Sequence, residues 1–312
     1  MKFGVAVTNA INPEITPDGQ ADYAARLTLA TEESGLDSVW VAERTVYPTD
    51  IMARYPHMFS PHHSRPDSQR VLEATTTLAY LAGITKRVRL GFSVLCLPFR
   101  NPLLNAKTIT TLDTLSGGRV NFGVGTGWMR EEFEAIFADY DSRGAVTDEH
   151  LQIFIAACAS DVPEFSGEHF SMSGNIFFPR PPQQPHPPIW VGGKTEAALR
   201  RVAIYGDYWN GIFVTPAEVQ TKLTRLGELC DERGRDRSEI GAAITMNLNL
   251  TDRTMEDGER VLMTGSDEEV IDDLRRYEEA GLDTMIISVT GASTGQTVDL
   301  LRHFAEDLVP RL

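Results

Sequence analysis

An acid and a base stand side by side at Glu43-Arg44, directly behind the short apolar run Ser38–Val41. Leaving a strand end together, they can position a substrate, and the acid can move a proton. The same two residues can equally form a plain ion pair at a rim. A second candidate is Ile189-Trp190-Val191-Gly192-Gly193-Lys194-Thr195, just before a helical pattern carrying Arg200 and Arg201. Free amides at a helix start, beside a cationic side chain, suit a phosphate, and glycines let the backbone approach it. A plain turn needs none of this chemistry, so anion binding is the preferred reading.

Two further stretches carry weaker signals. Gly91-Phe92-Ser93-Val94-Leu95, before Pro98, suits either a bulge under a planar ligand or a buried strand with a bent end. Gly123-Val124-Gly125-Thr126-Gly127 is not the G-x-G-x-x-G dinucleotide fingerprint. Its alternating glycines either leave room for a flat ring or pack a tight turn. The long stretch from Glu43 to Gln69 holds Arg44, Tyr47, Tyr55, His57, Met58, Phe59, His62 and His63. Structureless loops of that length often serve as lids. Its histidines have no acidic partner at ligand spacing, so they read as lid polarity and not as a metal site. The chain contains no G-x-S-x-G, no H-E-x-x-H and no Walker A sequence, which leaves hydrolytic triads and zinc chemistry unsupported.

The elements that must position these residues alternate from end to end. Strands are predicted at Phe3–Val7, Ser38–Val41, Val88–Leu95, Val120–Val124, Ile189–Val191, Trp209–Phe213, within Ala242–Leu250, and at Asp283–Val289. Helical spacing predicts Ala21–Ser34, Arg70–Gly83, Leu103–Leu115, His150–Ala159 behind a Thr147-Asp148-Glu149 cap, Glu196–Tyr205, Ala217–Arg233 and Gln296–Leu308. Ser266-Asp267-Glu268-Glu269 predicts the start of another helix, running to Ala280 and ended by Gly281. Arg130–Phe137 suits a short helix and Phe165–Phe178 a hairpin insertion, with turns at Gly167 and Gly174. Eight strands with roughly eight helices are the tally of an α/β protein of the (β/α)8 TIM barrel type, here one domain over residues 1–312. In such a barrel, function collects at the C-terminal ends of the strands.

Composition narrows the partners. The formal charge is −15 with no basic block, which disfavours nucleic acid and anionic membranes. No apolar run is long enough to span a bilayer, and MKFGVAV reads as a strand and not a signal peptide. Cys96, Cys158 and Cys230 are too few and too scattered for a disulfide framework, so a cytoplasmic protein with reduced thiols is expected.

Taken in order, SVWVAER, RVRLGFSVLCLPFRNPLLNAKTITTLDTLSGGRVNFGVGTGWMREEF, RGAVTDEHL, PPIWVGGKTEAALRRVAIYGDYWNG and GSDEEVIDDLRRYEEAGLDTMIISV resemble the bacterial luciferase-like flavin and deazaflavin oxidoreductases. The resemblance implies a (β/α)8 barrel with an insertion region, often dimeric, holding FMN or coenzyme F420 at its C-terminal face. It implies a cis peptide at Ser93-Val94, with Leu95 beside it, under the central ring of the cofactor. It places the phosphate at Gly192, Gly193, Lys194 and Thr195, and the cofactor tail along Thr126, Gly127 and Trp128. The LPFRNPLLNAK and LSGGRVNFGVGTGWMREEFEA wording resembles the F420 branch, which implies hydride transfer to or from a small organic substrate. Many members of that branch carry an acid–His pair where this chain has Glu43-Arg44. Arginine stays protonated and cannot cycle a proton. It can polarise a carbonyl or nitro oxygen or clamp an anion, leaving acid–base work to Glu43 or water. The rival implications are an FMN-dependent monooxygenase fed by a separate flavin reductase, and a catalytically inactive flavin-binding barrel. The expected assembly is a homodimer.

Overall fold

The computed structural model describes residues 1–7, 19–55, 71–251 and 260–312. Eight parallel strands form the central sheet: β1 Lys2–Ala6, β2 Ser38–Val41, β3 Arg89–Phe92, β4 Val120–Gly125, β5 Ile189–Gly192, β6 Tyr208–Ile212, β7 Gly241–Leu250 and β8 Thr284–Val289. Each pairs with its neighbour in chain order, and β8 pairs back onto β1, so the sheet closes. The result is the expected (β/α)8 barrel. Closure also explains the near-continuous apolar runs, because both faces of every strand are covered.

Strand alternation sorts the side chains. Val39, Val41, Leu90, Phe92, Phe122, Val124, Ile189 and Val191 join the layer between sheet and helices. Trp40, Trp190, Ala6, Ala243 and Ile286 form a separate cluster in the barrel interior. Trp40 and Trp190 meet edge to face at 4.7 Å, and Tyr208 stacks on Trp190 at 3.8 Å. Two bulky indoles fit because Gly4 and Gly91 face Trp40; a β-carbon there would lie 2.4 and 2.2 Å from it.

Eight main helices pack outside: α1 Gln20–Glu33, α2 Ala74–Ile84, α3 Pro102–Ser116, α4 Arg143–Ala159, α5 Glu196–Tyr205, α6 Pro216–Asp231, α7 Asp267–Glu279 and α8 Thr294–His303. Local chemistry sets many of their ends. Asn101 caps α3 from its side chain, Pro102 opens it, and Gly117 closes it in the left-handed conformation. Ser266 and Glu269 form the capping box that the sequence predicts for α7.

Several boundaries differ from expectation. The α4 helix begins at Arg143, so Thr147-Asp148-Glu149 is not its cap. Those polar residues serve other contacts: Thr147 donates back to the Arg143 carbonyl, and Asp148 pairs with Arg201 at 2.6 Å. The Glu149 carboxylate accepts the amides of Glu168, His169 and Phe170 in the insertion hairpin. That hairpin pairs only Phe165–Ser166 with Ser171–Met172. The α2 helix starts at Ala74, with Glu73 as its cap. The last helix, read as one piece to Leu308, widens into a π-turn after His303. Most consequential, the apolar run Val88–Leu95 is not one strand. It breaks after Phe92 and resumes as Leu95–Cys96, which pairs with β4.

Candidate functional site

The C-terminal mouth of the barrel is built around that break. The Ser93–Val94 peptide is cis. The Ser93 amide still donates to the Val41 carbonyl of β2 at 2.7 Å, while Leu95 and Cys96 pair with Val124 and Gly125. Between them the chain shifts toward β4 and β5. A β-carbon at Gly123 would overlap the Phe92 carbonyl, and at Gly125 and Gly192 it would lie 2.4 and 2.7 Å from the Val94 side chain. The alternating glycines therefore make room for the protein's own Phe92 carbonyl and Val94 side chain. Across the barrel, the Ser93 hydroxyl lies 3.5 Å from that of Thr245 on β7. Small residues thus floor the mouth above the Trp40–Trp190 layer.

Glu43 and Arg44 sit at this mouth but do not pair with each other. The buried Glu43 carboxylate accepts the Cys96 amide at 2.6 Å, two residues beyond Val94, and its other oxygen pairs with Arg100. Arg100 also holds Glu73 at 2.9 Å. Burial raises the Glu43 carboxyl above the usual range, against the pull of Arg100 and the Cys96 amide. Arg44 instead donates to Glu132 at 2.5 Å, and the Thr45 amide takes the other Glu132 oxygen at 2.7 Å. Burial pulls the Arg44 guanidinium down, but Glu132, Tyr47 and Cys96 together outweigh it and raise the group above its usual value. Its guanidinium lies 5.4 Å from the Tyr47 ring and 5.1 Å from the Trp128 ring.

The sequence alone does not single out Arg100, Glu73 or Glu132. Position after a strand was their signal: Arg100 follows the third strand, and Glu132 lies in the short helix Arg130–Ala135 behind the fourth. That helix also anchors the start of the long second loop. Arg54 and the Tyr55 hydroxyl both reach Glu131 at 2.8 Å, and Tyr55 meets Trp128 edge-on at 5.0 Å. The expected lid residues His57, Met58, Phe59, His62 and His63 lie outside the described residues.

The glycine turn borders the same mouth. Gly192 touches Val94, and Gly193, at φ +116°, donates to the Asn210 carbonyl and accepts from Trp209. Thr195 caps α5 through its hydroxyl, and Lys194 to Ala197 are exposed. Neither following arginine is held ready for this turn. Arg201 is buried on Asp148, and Arg200 pairs with Glu196. Val94 thus meets Gly125 and Gly192 beside Ser93 at the mouth. Leu95, by contrast, is buried in the core, Thr126 follows Gly125, and Gly127, at φ +76°, packs against Phe133 and Phe99. Trp128 joins the mouth through Arg44.

A family model for luciferase-like monooxygenases matches residues 1–256. An uncharacterized protein of Mycobacterium tuberculosis is 33% identical over 209 residues, covering 67% of this chain and 72% of that protein. Among solved structures, the monooxygenase RslO1 from Streptomyces bottropensis superposes with a TM-score of 0.80 at 23% identity, covering 100% of this chain and 99% of that one. An F420-dependent secondary alcohol dehydrogenase in complex with an F420–acetone adduct superposes with a TM-score of 0.78 at 18% identity, covering 99% and 98%. The structural likenesses speak for the fold; the match to the family model speaks for ancestry over most of the chain. This chain belongs to the luciferase-like monooxygenase family.

Proposed function

We propose that this chain is a coenzyme F420-dependent oxidoreductase that exchanges a hydride with a small organic substrate at the barrel mouth. The observation that carries the reading is Glu43. It is a buried carboxyl of raised proton affinity, bonded to the amide two residues past the Ser93–Val94 peptide. Two-electron chemistry on an alcohol, carbonyl or imine needs a proton donor or acceptor beside the hydride, and a buried carboxyl suits that task.

The residues present fit a planar, phosphate-bearing group. The mouth is floored by small side chains, and the α5 turn offers exposed amides beside Lys194. Asn210 of β6, level with Gly192, carries a buried side-chain oxygen without a partner among the described residues, ready for an N–H donor. Gly192, Gly193, Lys194 and Thr195 would hold the phosphate. Ser93, Val94 and Leu95 would support the ring, with Thr126, Gly127 and Trp128 along the tail. When bound, the deazaflavin supplies a hydride acceptor or donor. Glu43 holds or receives the proton. Arg44, steadied by Glu132 between Tyr47 and Trp128, orients a polar or anionic substrate oxygen.

The working unit we propose is a homodimer, in the cytoplasm, where the three buried free thiols stay reduced. Helix α2 contains no charged residue and exposes Thr76, Ala79 and Tyr80; neighbouring α3 exposes Leu104 and Leu115. In a chain of charge −15, this face lets two copies meet without opposing like charges. A monomer at micromolar concentration in sedimentation would exclude it.

Titration of the protein with F420 and with FMN is the decisive test of the cofactor. Tight FMN binding without measurable F420 affinity overturns the proposal in favour of a monooxygenase fed by a flavin reductase. For the chemistry, Glu43→Gln is expected to slow F420 turnover about 100-fold or more while F420 affinity stays within about twofold. Equal loss of both would remove Glu43 from acid–base work. Absence of any turnover in the parent protein would leave a binding barrel.

A further inference from the structure

The partners of Glu43 suggest how it handles a proton. Arg100 does not meet either carboxylate with the parallel, two-bond fork that guanidinium groups favour. One nitrogen, Nη2, serves both Glu43 and Glu73, while Nη1 is buried with no partner among the described residues. A buried N–H without an acceptor is costly. Turning fully toward either carboxylate would relieve it. The guanidinium therefore stands between two seats.

The two seats differ. Glu73 is half-exposed and caps α2, its Oε2 accepting the Thr76 amide at 2.6 Å. A helix start favours negative charge: burial raises the Glu73 carboxyl, but the Thr76 amide and hydroxyl, the Thr75 amide and Arg100 together hold it below its usual range. Glu73 thus remains an anion. Glu43 is buried, with one oxygen fixed by the Cys96 amide. Its other oxygen, Oε1, faces Arg100. The remaining titratable groups around Cys96 are Arg44 and Glu132, which pair with each other, and the Cys96 thiol, which burial keeps protonated and neutral. Glu43, Arg100 and Glu73 together therefore carry one net negative charge, and a single proton makes the set neutral. Buried charge is unfavourable, so that proton belongs on Glu43.

We propose that Arg100 is a positioning residue: it holds Glu43 as a carboxylate, and it turns to Glu73 when Glu43 takes a proton on Oε1. Arg100 stays protonated throughout, and no other bond changes. The mouth can then store and return one proton without leaving an isolated buried charge. This rests on the reading of Glu43 as the acid–base group, yet the titration itself can be read without cofactor.

The experiment follows the carboxylic-acid C=O stretch of Glu43 by infrared difference spectroscopy against pH, the band being identified by its loss in Glu43→Gln. In Arg100→Ala the midpoint is expected to rise by about 1–2 pH units, because the nearby cation is gone. In Glu73→Gln it is expected to fall, because the competing anion is gone and Arg100 belongs to Glu43 alone. Arg100→Lys should restore part of the lowering. The acid limb of the kcat–pH profile should move with each midpoint while KM changes little. Unshifted midpoints, or shifts in the same direction for Arg100→Ala and Glu73→Gln, overturn the proposal. If Arg100→Ala fails to fold, Arg100→Lys and Glu73→Gln decide it in the same way. Failure of the parent reading looks different: Glu43→Gln would leave turnover intact while the infrared midpoints still moved.

Discussion

The two ends of the barrel use the same charged residue types in opposite ways. At the N-terminal end, charges are consumed by the backbone. Arg119 donates five hydrogen bonds to the Ser116, Val88, Ala82 and Thr85 carbonyls and to the Thr85 hydroxyl. Glu32 accepts the amides of Lys86, Arg87 and Val88, and Asp207 and Asp283 accept those of Ile189 and Ala242. At the C-terminal mouth, Glu43 takes one amide and shares an arginine whose Nη1 has no partner among the described residues. One end spends its charges on holding loops. At the other, Arg44 and Glu132 are fixed on each other, and Arg100 is the charge that our proposal makes adjustable.

The largest expected effect breaks the fixed end. Arg119→Ala leaves several buried carbonyls without a donor, including the last carbonyls of α2, at a cost of about 4 kcal/mol. Chemical denaturation should show the loss as a lower midpoint at unchanged slope. Affinity of the remaining folded fraction for whichever of F420 and FMN the parent binds should stay within about twofold of the parent. A stability loss below about 1 kcal/mol would mean that water replaces this network easily.

At the mouth, the next expected effect is one of volume. Gly125→Ala places a β-carbon 2.4 Å from the Val94 side chain, so one of the two must move. The expected cost is about 2 kcal/mol, accompanied by weaker cofactor binding. Val94→Ala in the same chain should recover most of that stability, since the clash is between these two groups. If the double variant is as unstable as the sum of the single ones, Val94 is not what Gly125 accommodates.

How much of this was legible beforehand follows the same division. Helix α5 was read to the residue, because Thr195 caps it and its apolar spacing is helical. The glycine turn at Gly192-Gly193 was visible for the same local reasons. The start of α4 is not legible because Thr147-Asp148-Glu149 has the composition of a cap, whereas Thr147 bonds back within the helix and Asp148 and Glu149 serve contacts distant in the chain. Hydrophobicity is the same on both sides of Ser93 and does not mark the break in Val88–Leu95. A bulge or bent end is only one of two readings of the residues, and it is the resemblance that implies the cis Ser93–Val94 peptide the structure contains. Glu43 and Arg44 stand out in the sequence, but Glu73 lies about thirty residues on at the start of α2, and Arg100 and Glu132 come from the two strand–helix units that follow. The parallel pairing of β2, β3 and β4 brings Glu73, Arg100 and Glu132 to one mouth, and spacing along the chain does not name the partners.

The smallest expected effect sharpens the comparison most, because it sets one carboxylate of each end on the same pH axis. Glu32 has its carboxyl lowered: burial raises it, but the Arg87, Val88 and Lys86 amides outweigh that. Its contribution is present above the ordinary carboxylate value of about 4.3 and is lost as pH falls through the lowered one. Glu43 is raised, so its contribution is full below about pH 4.3 and is lost as pH rises through the raised value. Glu32→Gln should therefore cost about 1 kcal/mol near pH 7, after allowance for its partial exposure, and less in acid. Relative to the parent, Glu43→Gln should do comparatively better at neutral pH than in acid. Denaturant midpoints of both variants and the parent, measured from about pH 3 to pH 8, should give difference curves of opposite slope. Parallel curves would mean that the mouth holds Glu43 as firmly as the closed end holds Glu32, and the contrast between the two ends would be one of position alone.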